Sequence, residues 1–210
     1  MLKLGVLVSG GGTNLQAVID SIKNGCLDAE ITAVISSNSK AYALTRAAEN
    51  GIFHTVVSKK MYPEQVDYDR AVVGCLQENG CELVLTAGFM TVMGELFTDT
   101  FAGRIMNIHC ALIPSFCGKG MYGIKVHEAV LARGVKVTGA TVHFVNEITD
   151  GGPIILQKAV AVEDSDTPEV LQKRVMEEAE HIILPEAVKL FSEGRIVIEG
   201  SKCRIIGGGL

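Results

Sequence analysis

The chain has 210 residues, of which 48% are hydrophobic and 20% charged, and its formal net charge is -5. This balance excludes a disordered segment and a bulk-basic nucleic-acid binder. No apolar run reaches membrane-spanning length, so no membrane partner is expected. Lys3 precedes a short apolar run that breaks at Ser9 into glycines, which does not fit a signal peptide. Leu2 to Val8 reads as a strand apolar on both faces, and Ser9 to Asn14 follows as a loop. Leu15, Val18, Ile19 and Ile22 recur at helical spacing, and Gly25 closes that helix. Ile31 to Ile35 is a strand, Ala41 to Asn50 a helix, and Thr55 to Val57 a strand. A helix from Pro63 to Asn79, stopped by Gly80, leads to a strand from Glu82 to Thr86. Alternation at these intervals predicts a parallel sheet with helices on both faces. Ligands of such sheets collect at the carboxyl ends of the strands.

The second half is less regular. Ile105 to Ile108 reads as a short strand and Val126 to Ala132 as a helix. Val137 to Val145 and Ile154 to Val162 read as strands joined hairpin-fashion through Asn146 to Pro153, which predicts an antiparallel part. Thr167, Pro168 and Glu169 give start signals for one long amphipathic helix. We expect one domain over residues 1–199 and a loose tail over 200–210, which ends in glycines. Cys26, Cys75, Cys81, Cys110, Cys117 and Cys203 show no C-x-x-C spacing. Free thiols in a reducing cytoplasm are the simplest expectation.

VLVSGGGTNLQAV is strand, glycine loop and helix. Amides opening that helix, aided by its dipole and by donors on Thr13 and Asn14, can hold an anion. No lysine ends the loop, so it is not a Walker loop. The position three after Gly12 is Leu15, so the full G-x-G-x-x-G pattern is missing as well. A phosphate monoester fits better than a pyrophosphate. The ordinary alternative is a tight turn with a Thr or Asn cap, and both readings stand.

In MNIHCALIP, Asn107 and His109 sit two apart and share a face of an extended chain. Two donors aimed at one point can stabilise an oxyanion, as acyl transfer requires. The alternative is two hydrogen-bonded polar groups at a strand end. In TDGGP, Asp150 precedes residues that force a turn. Near His109 its carboxylate would favour the protonated ring; otherwise it stabilises only its own turn. His54, His127 and His181 read as structural. His143, alternating with apolar residues, either faces the site or is a core histidine. No G-x-S-x-G, H-E-x-x-H or metal-ligand cluster appears, and no metal is expected.

Taken together, VLVSGGGTNLQAVID, LVLTAGFM, GRIMNIHCALIPSF, VTGATVHFV, TDGGPIILQ and EEAEHIILP resemble the phosphoribosylglycinamide formyltransferases, a folate-dependent formyltransferase family of purine synthesis. The resemblance spans nearly the whole chain. It implies a Rossmann-like α/β formyltransferase fold and transfer of the formyl group of 10-formyltetrahydrofolate to the amine of glycinamide ribonucleotide. It further implies catalytic roles for Asn107, His109 and Asp150, and phosphate binding by Gly12, Thr13 and Asn14. By the same resemblance, Met90, Thr91, Val92 and Met93 hold the folate with Asn146, Glu147, Ile148, Thr149 and Asp150. Glu177, Glu178, Ala179 and Glu180 meet the ribonucleotide, with Glu180 on a ribose hydroxyl. Four positions depart from the family's pattern. Cys110-Ala111 replaces Pro-Ser after the histidine, and Thr91 and Gln65 stand where arginines are usual. The implied partners are these small molecules, with no nucleic acid, for a monomer or homodimer. The rivals are a formyltetrahydrofolate hydrolase, which needs no phosphate site, and a non-catalytic sensor of either ligand. A methionyl-tRNA formyltransferase would be expected to carry a further RNA-binding domain.

Overall fold

The computed structural model describes residues 1–207. Its backbone divides into two compact units, with the division between Asn107 and Ile108. The sequence analysis found no boundary there because the division falls inside a strand rather than in a polar linker.

The first unit is built on β1 (Leu2–Val8), β2 (Ala29–Ser36), β3 (His54–Val56), β4 (Leu83–Thr86) and the start of β5 (Ile105–His109). All the pairings among them are parallel, in the order β3-β2-β1-β4-β5. Leu4, Val6, Leu7 and Val8 are all buried, so both faces of β1 are covered, as a central parallel strand requires. The covering helices are α1 (Thr13–Lys23), α2 (Tyr42–Glu49), α3 (Gln65–Glu78) and a short α4 (Glu95–Thr100). The sequence analysis missed α4 because six residues show too little periodicity; Phe97 and Phe101 nonetheless bury there with ring centroids 5.7 Å apart. From β1 the strand order runs outward through β2 to β3 on one side and through β4 to β5 on the other. The loops leaving β1 and β4 therefore flank the switch point of the sheet.

The second unit holds α5 (Ile124–Arg133), then β6 (Val137–Phe144) and β7 (Ile154–Ala161), which pair antiparallel as expected. Thr167 caps the next helix, accepting from the Val170 N–H at 3.3 Å, with Pro168 in the first turn; such a cap contributes about 1 kcal/mol. The long helix is not uniform. It runs as α6 (Pro168–Val175), a wider π-helical stretch (Met176–Glu180) and α7 (His181–Ser192). The tail also differs from expectation. β8 (Ile196–Glu199) and β9 (Lys202–Ile205) form an antiparallel hairpin across the boundary drawn at residue 200. The alternation Ile196, Ile198, Cys203 and Ile205 was its signal, set against too few residues to read as strands. Gly208 and Gly209 lie outside the described residues. No helix among the described residues is long and apolar enough to cross a membrane.

Candidate active site

In the first unit, the loop after β1 turns at Gly12, whose φ of 71° is left-handed. A Cβ there would also lie 2.6 Å from the Ala43 Cβ of α2. Conformation and close approach both demand glycine. Two loop carbonyls are tied to α2: the Ala43 N–H donates to Gly10 at 3.1 Å and Arg46 Nε donates to Gly11 at 2.9 Å. Arg46 was not foreseen; as the only cation in its helix, it was legible as a candidate. Thr13 opens α1 and the capping position is Gly12, which offers no side-chain oxygen. The positive end of α1 therefore lacks the Thr or Asn cap of the ordinary reading.

The segment after β4 starts beside that loop, because the Met90 N–H donates to Ser9 Oγ at 2.9 Å. Its far end is held by buried Asp69, which accepts from the Gly94 N–H at 3.1 Å and from Gln65 Nε2 at 2.6 Å. Met90 and Val92 between these anchors are exposed apolar side chains. Where β4 ends, the Thr86 hydroxyl donates to Asn107 Oδ1 at 2.8 Å.

In the second unit, His109 is 6% exposed at the end of β5. Its Nε2 lies 2.8 Å from the Phe116 carbonyl, and its Nδ1 lies 3.8 Å from Asp150 Oδ2. Sequence spacing alone did not establish that second approach. Both ring nitrogens therefore face oxygen atoms. Asp150 sits at φ 55° in the Asn146–Pro153 turn and accepts from the Gly118 N–H at 2.8 Å. Its other oxygen is 3.7 Å from His143 Nε2. The His143 Nδ1–H donates to the Phe144 carbonyl at 2.8 Å. Burial pushes the Asp150 carboxyl upward. The nearby His143 ring, the Gly118 N–H and the charges of both histidines outweigh that, so the group lies below its ordinary value. His143 is buried and faces Asp150, the first of its two readings. The Phe116 carbonyl had no sequence signal at all.

The Asn146–Thr149 stretch is exposed, and Asn146 Oδ1 accepts from the Ile148 N–H at 3.0 Å. A cavity of about 620 Å³ opens beside Asp150, walled by Ile113, Ile148 and Ile154, by Ser201 of the β8–β9 turn and by Lys202 at the start of β9. Of the four ribonucleotide candidates, Glu177 and Glu178 are exposed on the helix, whereas Ala179 and Glu180 are buried within the π stretch. Such widened turns recur at functional sites because they redirect a side chain. Cys110 carries a thiol pushed up to about 12 by burial and then by the charge of Glu180. It is uncharged at neutral pH. Ala111 is fully buried and its carbonyl accepts from Thr141 Oγ1 at 2.7 Å. The departure beside His109 is thus a neutral thiol and a core methyl.

His127 on α5 is fully buried, with no hydrogen-bond partner on either ring nitrogen. Burial, and secondarily the charge of His109, lowers it from 6.5 to about 4. The folded-state value is depressed, so this ring's contribution to stability is complete above about pH 6.5 and is lost as the pH falls toward 4. Across that window we expect wild type to lose about 3 kcal/mol, and His127→Leu to lose less. Thermal melts of both proteins at several pH values measure this; parallel curves would refute it.

A formyl transferase family model matches residues 2–188. The chain is 37% identical to phosphoribosylglycinamide formyltransferase of Haemophilus influenzae, covering 100% of this chain and 96% of that one. The chain belongs to the formyl transferase family, among the phosphoribosylglycinamide formyltransferases. Crystalline glycinamide ribonucleotide transformylase 1 of Symbiobacterium toebii superposes with a TM-score of 0.93 at 43% identity, over 99% of this chain and 95% of that one. The trifunctional purine biosynthetic protein adenosine-3 of Gallus gallus is 42% identical over 94% of this chain, which spans only 19% of that protein's length. The family's α/β architecture, mostly parallel with an antiparallel C-terminal part, agrees with the two units described above.

Proposed function

We propose that this formyl transferase moves the formyl group of 10-formyltetrahydrofolate onto the amine of glycinamide ribonucleotide, in purine biosynthesis. The observation that carries the reading is the carboxylate of Asp150 facing the rings of both His109 and His143. The substrate amine attacks the formyl carbon, which becomes tetrahedral while its oxygen gains negative charge. Asn107 and protonated His109 donate to that oxygen, and Asp150 favours the charged ring. Asp150 also orders a water that carries a proton from the attacking amine to the departing folate nitrogen. No further group is required, since two donors and the alignment of two substrates suffice for the step.

Gly12, Thr13 and Asn14 are assigned to the ribose phosphate, consistent with the uncapped positive end of α1. Glu180 is assigned to a ribose hydroxyl. Met90–Met93 and Asn146–Asp150 are assigned to the folate. Exposed Met90, Val92 and Ile148 suit an aromatic ring system, and the backbone edges of both segments suit its hydrogen-bonding rim. The six cysteines are free, which supports work in a reducing compartment such as the cytoplasm.

A spectroscopic assay for tetrahydrofolate, run with and without glycinamide ribonucleotide, tests the reading. Product is expected only with the ribonucleotide. Formate release in its absence would establish the hydrolase instead, and binding of both ligands without product would establish the sensor.

A further inference from the structure

We propose that Thr86 is a positioning residue that orients the Asn107 amide for formyl transfer; this rests on the catalytic role proposed for Asn107. Thr86 is the last residue of β4, and the parallel β4–β5 register sets it directly opposite Asn107. Residues so paired extend toward the same face of the sheet. The Thr86 hydroxyl has one hydrogen and two acceptors within reach: Asn107 Oδ1 at 2.8 Å and the Met106 carbonyl at 3.3 Å. The shorter contact takes the hydrogen.

This decides which edge of the amide does what. A primary amide has an accepting carbonyl edge and a donating NH2 edge, and a half-turn about its last torsion exchanges them. Only the NH2 edge can stabilise an oxygen gaining negative charge; the carbonyl edge would repel it. With Oδ1 accepting from Thr86, the carbonyl edge is committed to β4 and the NH2 edge is directed elsewhere. Thr86 therefore removes the half-turn that would present the wrong edge. A hydroxyl-bearing residue in a strand otherwise apolar (Leu83, Val84, Leu85) has this as its chemical use.

Thr86→Val keeps the size and branching of the side chain and deletes only the hydroxyl. It is expected to lower kcat about 10-fold with both KM values changed less than about twofold, because the fault lies in stabilising the reacting oxygen and not in binding. Thr86→Ser restores a hydroxyl and should recover kcat to within about threefold of wild type. In an Asn107→Ala background, Thr86→Val should produce no further loss. Wild-type kcat in Thr86→Val beside a crippled Asn107→Ala would overturn the proposal alone. An equal fractional loss in both backgrounds would overturn it too, by making the role merely structural. Wild-type kcat in Asn107→Ala would overturn the role of Asn107 and the proposal with it.

Discussion

Asp150→Asn is expected to retain the fold and to lose on the order of 100-fold or more in formyl transfer. The substitution is chosen for what it keeps. Asp150 has φ 55°, a conformation that asparagine tolerates far better than alanine does. Asparagine's side-chain oxygen can still accept from the Gly118 N–H, now at 2.8 Å from Oδ2. What it removes is the negative charge that both histidine rings face. On the proposed mechanism, the charged ring of His109 would lose its counter-ion and the relay water would lose the carboxylate that orders it. The charge also enters stability with a definite sign. The carboxyl's folded-state value lies below its ordinary 3.8. Its contribution is therefore fully present above about pH 3.8 and disappears as the pH falls through the lower folded value. The two proteins should accordingly differ in stability at neutral pH and converge in strong acid. Steady-state turnover and thermal melts together measure this, and near-wild-type turnover would falsify the assignment of Asp150.

The second large effect is steric. Gly152→Ala should destabilise the chain by about 3 kcal/mol or more, lowering Tm and turnover together. A Cβ at Gly152 would run into the Phe144 carbonyl, which is backbone and has no rotamer to escape through. Phe144 is held there because its N–H donates to the Pro153 carbonyl at 2.9 Å, and the ladder continues with His143 opposite Ile154. An added methyl must push the ends of β6 and β7 apart, carrying His143 on one strand and the Asp150 turn on the other. Gly74→Ala is the matching control. It lies inside α3, and a Cβ there meets nothing within 4 Å. Alanine should leave Tm unchanged or raise it, since it is the better helix former by up to about 1 kcal/mol. Equal melts for wild type and Gly152→Ala would show that the strand ends yield more readily than their hydrogen bonds imply.

The parallel half of the fold was legible because its signals are local: each helix has a periodic face, and each strand is a short apolar run between breakers. Leu2–Val8 and the Gly25 and Gly80 stops carry that pattern nearly residue for residue. What escaped has identifiable reasons. α4 and the β8–β9 hairpin are too short for periodicity to rise above chance. The π stretch changes the helical repeat for five residues, and nothing in MEEAE marks it. In the candidate site, Asn107, His109 and Asp150 were singled out from side-chain chemistry and local spacing. The meeting of His109 with Asp150 depends on residues 41 positions apart in the chain, which no local pattern encodes. His143 was visible as a residue but not as a partner. The Phe116 carbonyl was invisible, because every residue has one.

That carbonyl changes how the resting site should be regarded. At 2.8 Å from His109 Nε2, it already occupies a donor assigned to the reacting oxygen. On the proposed mechanism, formyl transfer is then an exchange of acceptors: a neutral oxygen from the protein's own loop gives way to one that is becoming charged. A neutral formyl oxygen displacing Phe116 gains almost nothing, since like replaces like. The preference appears only as charge develops, when the bond becomes the stronger, charge-assisted kind. On that mechanism the loop would be an internal competitor, and the strength of His109 as a donor would be expressed chiefly at the top of the barrier.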